Sequence, residues 1–201
     1  MASDEVVVPM NLPKSVLLTD LCTEINRYRY GTPGVYVCLL MPVVLDEQTR
    51  FTPSLVAAVN HGRLKQCEPR QDGFYGAPNF VFDVFDRSEF AEYEARRGAF
   101  ASAGVCEYVV VFTDTQECLW NRLEEGAFEL CHPDGDGVLK SKALPGLWFR
   151  TSSAEDSECW SLVGMVERGL TRLGHHMLME TIFHPDGRKA EWGDWMPFDA
   201  G

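Results

Sequence analysis

Residues 76–112, GAPNFVFDVFDRSEFAEYEARRGAFASAGVCEYVVVF, constrain the fold more than any other stretch of the chain. Phe80–Phe85 is an almost wholly apolar run of strand length. Ser88 suits a helix N-cap, and Glu89 in the first turn complements the helix dipole. Gly104 suits the helix end. Glu107–Phe112 then reads as a strand returning beside the first. A strand–helix–strand unit of this length predicts a right-handed parallel crossover. One carboxylate, Asp83, sits in the middle of the first strand. A charge is rarely buried without a partner. Asp83 is therefore either paired or placed to serve a metal or a proton.

The elements on either side predict a mixed α/β domain. Apolar residues Val16, Leu17, Leu21 and Ile25 follow a helical stripe over 13–28, and Pro13 suits the helix start. Residues 31–34 form a turn, and 35–45 give one or two strands broken near Pro42. Asp46-Glu47-Gln48-Thr49 reads as a hairpin turn, 51–59 as an apolar strand and 60–75 as a polar loop. After the crossover come short strands at 117–123 and 127–131, joined by a turn at 124–126. Residues 132–137 form a further turn, and Leu144-Pro145-Gly146-Leu147 leads into a strand ending at Phe149. From Ala154 the chain reads as helical. Cys159, Val163, Val166, Leu170, Leu173 and Met177 form a stripe that is either core or a homodimer seam, with a break near Gly169. Trp192 and Trp195 fall in an irregular tail. The expected organisation is a flexible N-terminal segment over 1–12, one α/β domain over 13–182 and a C-terminal tail over 183–201.

With 201 residues and 45% hydrophobic content, the chain can bury a sizeable core. A net charge of −12 disfavours polyanions, so any DNA contact must rest on a local basic patch. Arg63, Lys65 and Arg70, Arg96 with Arg97, and Lys140 with Lys142 are the candidates, each of which also reads as ordinary surface charge. Seven cysteines stand singly, without a Cys-x-x-Cys pair, and fit reduced thiols in the cytoplasm. Neither a membrane span nor a signal peptide is expected.

Few patterns carry chemistry. His132-Pro133-Asp134-Gly135-Asp136-Gly137 lacks the later ligands of a calcium loop, since Val138, Leu139 and Pro145 hold those places. His176 and Glu180 share a helix face but make only two of the ligands a zinc site needs. No Gly-rich phosphate loop and no Gly-x-Ser-x-Gly elbow occurs. Asp83 remains.

An ordered series of local patterns resembles the bacterial "putative restriction endonuclease" family of the PD-(D/E)xK nuclease superfamily. The series is Pro53-Ser54-Leu55-Val56, then Pro78-Asn79-Phe80-Val81-Phe82-Asp83-Val84, then Glu92 to Arg96 with Phe100. It continues with Ala103-Gly104-Val105-Cys106-Glu107-Tyr108 and Leu144-Pro145-Gly146-Leu147. The resemblance implies a restriction-endonuclease-like mixed curved sheet flanked by helices. It implies an ancestral Mg- or Mn-dependent hydrolysis of DNA phosphodiesters, with carboxylates converging on the metal. It places the catalytic positions on Ser54, Asn79, Asp83, Glu92 and Arg96, and the metal on Asp83, with Glu24 of the first helix as a distant second acid. This chain departs from the family pattern. Serine stands where the first metal carboxylate belongs, asparagine replaces the second Asp, and arginine replaces the lysine. Arginine holds phosphate but cannot shuttle a proton. The expectation is a catalytically impaired or inactive nuclease-like protein, in which Asp83 forms a buried ion pair with Arg96 or Arg97. The alternative is a non-enzymatic acidic interaction or dimerising protein on the same fold.

Overall fold

The computed structural model describes residues 10–150 and 165–183. The expected N-terminal segment, the helical turns before Met165 and the tail with Trp192 and Trp195 lie wholly or largely outside the described residues. Helix α1 (Leu12–Gly31) begins with Pro13 in its first turn, and the side chain of Asn11 caps it by accepting from the amide of Lys14. Strands β1 (Val35–Leu39) and β2 (Val43–Val44) follow, divided at Pro42 as expected. The hairpin turn forms because Asp46 Oδ1 accepts from the amides of Gln48 and Thr49, each at 2.8 Å.

Two expectations are corrected here. The predicted strand over 51–59 is two strands, β3 (Arg50–Phe51) and β4 (Leu55–Val59), which belong to different sheets. The predicted loop over 60–75 holds a 3-10 turn (Gly62–Leu64) and the hairpin β5 (Cys67–Arg70) and β6 (Gly73–Gly76). Its strands are short, and Pro69 interrupts one of them, so polarity masked the pairing.

The crossover forms as expected. Strand β7 (Phe80–Phe85) leads through a 3-10 turn (Arg87–Glu89) into α2 (Phe90–Ala103), and β8 (Glu107–Phe112) lies parallel to β7. Ser88, however, is not the cap: Asp86 caps the 3-10 turn, and Glu89 holds the N-cap position of α2. Asp86 and Glu89 form a reciprocal capping box. Strands β9 (Glu117–Glu124) and β10 (Ala127–Cys131) complete a six-stranded sheet in the order β1-β4-β7-β8-β9-β10, antiparallel except for β7–β8. Strands β2, β3, β5 and β6 make a second sheet. Strands β11 (Val138–Lys140) and β12 (Trp148–Arg150) pair as a two-stranded ribbon.

The six-stranded sheet has two faces, and strand alternation decides what each one meets. Phe80, Phe82 and Val84 pack with Leu17, Leu21 and Ile25 of α1 and with Val166 of α3 (Met165–Leu170) and Leu178 of α4 (Leu173–Phe183). Val81 and Phe85 face the other way, toward Tyr93 and Phe100 of α2 and toward Val43 and Phe74 of the second sheet. The buried ammonium of Lys14 bonds Glu89 and lies 3.2 Å from Asp86, so it fastens the start of α1 to the start of α2.

The predicted helix break falls at Thr171 and Arg172, just after Gly169. Gly169 is required by packing: a Cβ there would lie 2.0 Å from the carbonyl oxygen of Gly146, whose own φ of +98° favours glycine. Of the predicted stripe, Val166 is buried, while Leu173 and Met177 are exposed. Gly169→Ala is expected to push α3 off the 144–147 loop and to cost about 1–3 kcal/mol in urea unfolding. An unchanged midpoint would show that this contact does not set the position of α3.

Candidate active site: a sealed carboxylate

Asp83 points to the α2 side of the sheet, with Val81 and Phe85, and only 2% of it is exposed. Its Oδ1 accepts from the amide of Ser54 at 2.8 Å. Its Oδ2 accepts from Tyr108 Oη at 3.0 Å and from Arg96 Nη1 at 3.1 Å. Arg96 is itself buried and continues outward, donating from Nε to Glu92 Oε1 at 2.7 Å, one helical turn away. The guanidinium lies between the rings of Phe51 and Phe85, 5.5 and 5.4 Å from their centres. Ser54 Oγ accepts from the amide of Val84 at 3.2 Å. Ser54 thus joins the start of β4 to β7 by both its backbone and its side chain.

Burial pushes the Asp83 carboxyl up from its ordinary range. Arg96, the Ser54 amide and Tyr108 all pull the other way by favouring the anion. Asp83 in turn raises Arg96, whose charge is not in doubt at any ordinary pH. Tyr108 is raised well above the normal phenol value, by burial first and then by the Asp83 charge, so its hydroxyl is a proton donor to the carboxylate.

Four of the residues singled out in the sequence therefore meet in one network: Ser54, Asp83, Glu92 and Arg96. Arg97 does not join it. That side chain turns to Asn121 Oδ1 and the carbonyl of Phe128 on β9 and β10, at 3.1 and 2.9 Å. Asn79 is also elsewhere. At the start of β7 its Oδ1 accepts from the amide of Val59, and its Nδ2 donates to the Leu64 carbonyl and to Gln66 Oε1. Glu24 is buried on α1, which packs on the opposite face of the sheet from Asp83. The geometry thus separates both Asn79 and Glu24 from Asp83, and neither can share an ion with it.

Tyr108 was missed as a site residue because it reads as one more core aromatic. A usable signal was present: parallel register sets Tyr108 opposite Val81, on the face that Asp83 shares. The donor set does not fit magnesium or manganese. Such ions need several oxygen ligands with carboxylate charge and open positions. Here one buried carboxylate already accepts from three donors, and a guanidinium stands beside it. Among the described residues no group of three or more His, Cys, Asp or Glu side chains could hold a metal ion.

A family model described as "Uma2: Putative restriction endonuclease" matches residues 3–152. The fold is similar to that of a solved structure described as a "putative nuclease belonging to DUF820" from Anabaena variabilis ATCC 29413. That likeness has a TM-score of 0.55 at 11% identity and covers 69% of this chain and 78% of the other. Among curated proteins none matches. Since the family model spans most of the chain, from before α1 to the end of β12, the protein belongs to the putative restriction endonuclease family.

Proposed function

We propose that this chain is a pseudoenzyme of its family, a nuclease-like fold in which an ion pair occupies the place of the catalytic metal centre. The observation that carries this reading is the enclosure of Asp83 by Arg96, Tyr108 and the Ser54 amide. Ser54 offers a neutral hydroxyl, already engaged by the Val84 amide, where a charged metal ligand would be needed. Arg96 is permanently protonated and tied at both ends, so it serves neither as a base nor as a free phosphate clamp. The role of Asp83 and Arg96 is then structural, and Glu92 and Ser54 position them. DNA contact is at most weak, because the net charge of −12 opposes a polyanion. The working location is the cytoplasm, consistent with six free cysteines among the described residues. No helix among the described residues is long and apolar enough to cross a membrane.

Calorimetric titration with magnesium or manganese is expected to give no heat above dilution, and supercoiled DNA is expected to stay intact with manganese. Manganese-dependent nicking that disappears in Asp83→Asn would overturn the pseudoenzyme reading. Stability tests the pair separately. Arg96→Met and Asp83→Leu are each expected to cost about 3–5 kcal/mol, because each leaves a buried charge without its partner. The double variant is expected to cost less than the sum of the two, by a coupling of about 1–3 kcal/mol. Additive losses would mean that Asp83 and Arg96 do not act as one unit.

A non-enzymatic, dimerising role on the same fold is the second reading. It is favoured by Leu173, which is 74% exposed on α4. Light scattering is expected to give twice the chain mass for the native protein and one chain mass for Leu173→Glu. A native protein of one chain mass at micromolar concentration removes this reading.

A further inference from the structure

A cavity of about 570 Å³ opens at the starts of β7 and β8, away from the Asp83–Arg96 pair in mid-strand, between the 3-10 turn (Gly62–Leu64), the start of β8, the end of β9 and α4. Its volume falls in the range of about 300–1,000 Å³ typical of small-molecule sites. The wall is apolar, with Leu64, Pro145 and Met177 among its residues, while Arg63, Arg122 and Lys142 bring cations to it. We propose that this cleft binds a small organic anion: a carboxylate, sulfonate or phosphate group carried on an apolar body.

The cationic side is built rather than incidental. Glu107 is fully buried at the cleft, and it accepts from Arg122 Nε at 3.0 Å, Ser141 Oγ at 2.5 Å and the Lys142 amide at 2.9 Å. Arg122 Nη2 donates to the Lys140 carbonyl at 2.8 Å. The guanidinium is thereby held on two sides, and Nη1 stays uncommitted among the described residues. A fixed guanidinium loses little freedom when it binds an anion. Lys142 Nζ reaches Glu124 at 2.8 Å, and the pair is largely exposed, which makes it a weak and exchangeable contact. Arg63 is exposed and has no hydrogen-bond or ionic partner among the described residues. Three cations thus meet two carboxylates, one of which is wholly occupied, in a chain whose overall charge is −12. An anion is attracted to this cleft and repelled by the rest of the surface. The apolar wall requires the anion to carry an apolar body, since a bare inorganic ion would leave that wall wet. Asn79 belongs here: its Nδ2 anchors Leu64 and Gln66, and so shapes the cleft rather than serving Asp83.

The probe is 8-anilinonaphthalene-1-sulfonate, titrated by fluorescence against the full chain. Saturable binding of one molecule per chain is expected, weakened by added sodium chloride. Neutral N-phenyl-1-naphthylamine is expected to bind about tenfold more weakly, because it lacks the group that meets the cations. Arg63→Glu and Met177→Asp change exposed side chains, and each is expected to raise the dissociation constant about tenfold without moving the melting temperature. Three outcomes overturn the proposal: no saturable binding by the full chain, as a segment of the chain filling the cleft would produce; a stoichiometry well above one; or an affinity unchanged in both variants.

Discussion

A carboxylate charge in a protein interior must be matched where it stands, and Asp83 imposes that requirement on everything around it. It draws a backbone amide from the start of β4, a phenol from β8 and a guanidinium from α2, so three strands and a helix share one polar node. The node fixes the docking of α2. That helix buries only Tyr93, Arg96 and Phe100, a thin apolar stripe for its 14 residues. Arg96 therefore acts as both packing and pairing. Its stem and planar head lie against Phe51 and Phe85, and its nitrogens reach Asp83 on one side and Glu92 on the other. Rotating α2 so that Ala95 faced the carboxylate would leave the charge unmatched, and rotating it so that Arg97 did would take Arg97 from Asn121 and the Phe128 carbonyl.

Two other buried charges lie toward the ends of the same strand pair. Lys14 sits under Asp86 and Glu89 just past the end of β7, and Glu107 takes Arg122, Ser141 and the Lys142 amide at the start of β8. Each ties segments remote in sequence: α1 to the α2 cap, and β8 to the loop that follows β11. Such pairs add little net stability over apolar residues of similar volume, but breaking one side is costly. Moving either segment would therefore leave a buried charge without its partner.

The main sheet was legible because its strands are long enough to show their pattern. Phe80–Phe85 and Glu107–Phe112 announce themselves by apolar content, and the helix between them by Gly104 at its end. The second sheet was legible only in β2, and its β5–β6 hairpin was read as a loop. Its strands have two to four residues, one holds Pro69, and the buried side chains of its hairpin, Cys67 and Phe74, look like isolated apolar residues in a polar stretch. The site was legible in part. A strand acid followed 13 residues later by a helix arginine implies that the two face each other once the helix folds back. Which of two adjacent arginines does so depends on helix phase, and here Arg96 shares the inward face with Tyr93 and Phe100. Glu24 shows the opposite limit. An acid on a helix reads the same from either side of a sheet, and only the packing of α1 on the Phe80 and Phe82 face separates it from Asp83.

The charge of Asp83 is balanced by the groups already around it. A divalent cation holds together carboxylates that would otherwise repel one another, and it needs their summed charge to be held itself. In this chain serine stands at one expected carboxylate and asparagine at another, so a single buried anion remains at the node. One guanidinium neutralises one carboxylate, and the Ser54 amide and Tyr108 hydroxyl supply the remaining donors. Restoring an acid at position 54 alone would add a second negative charge next to Asp83, against one fixed positive charge that is already shared with Glu92. A second carboxylate at position 54 would thus have to be accompanied by a change at position 96, because either change alone leaves the buried charge unbalanced. That coupling holds the node in its ion-paired form.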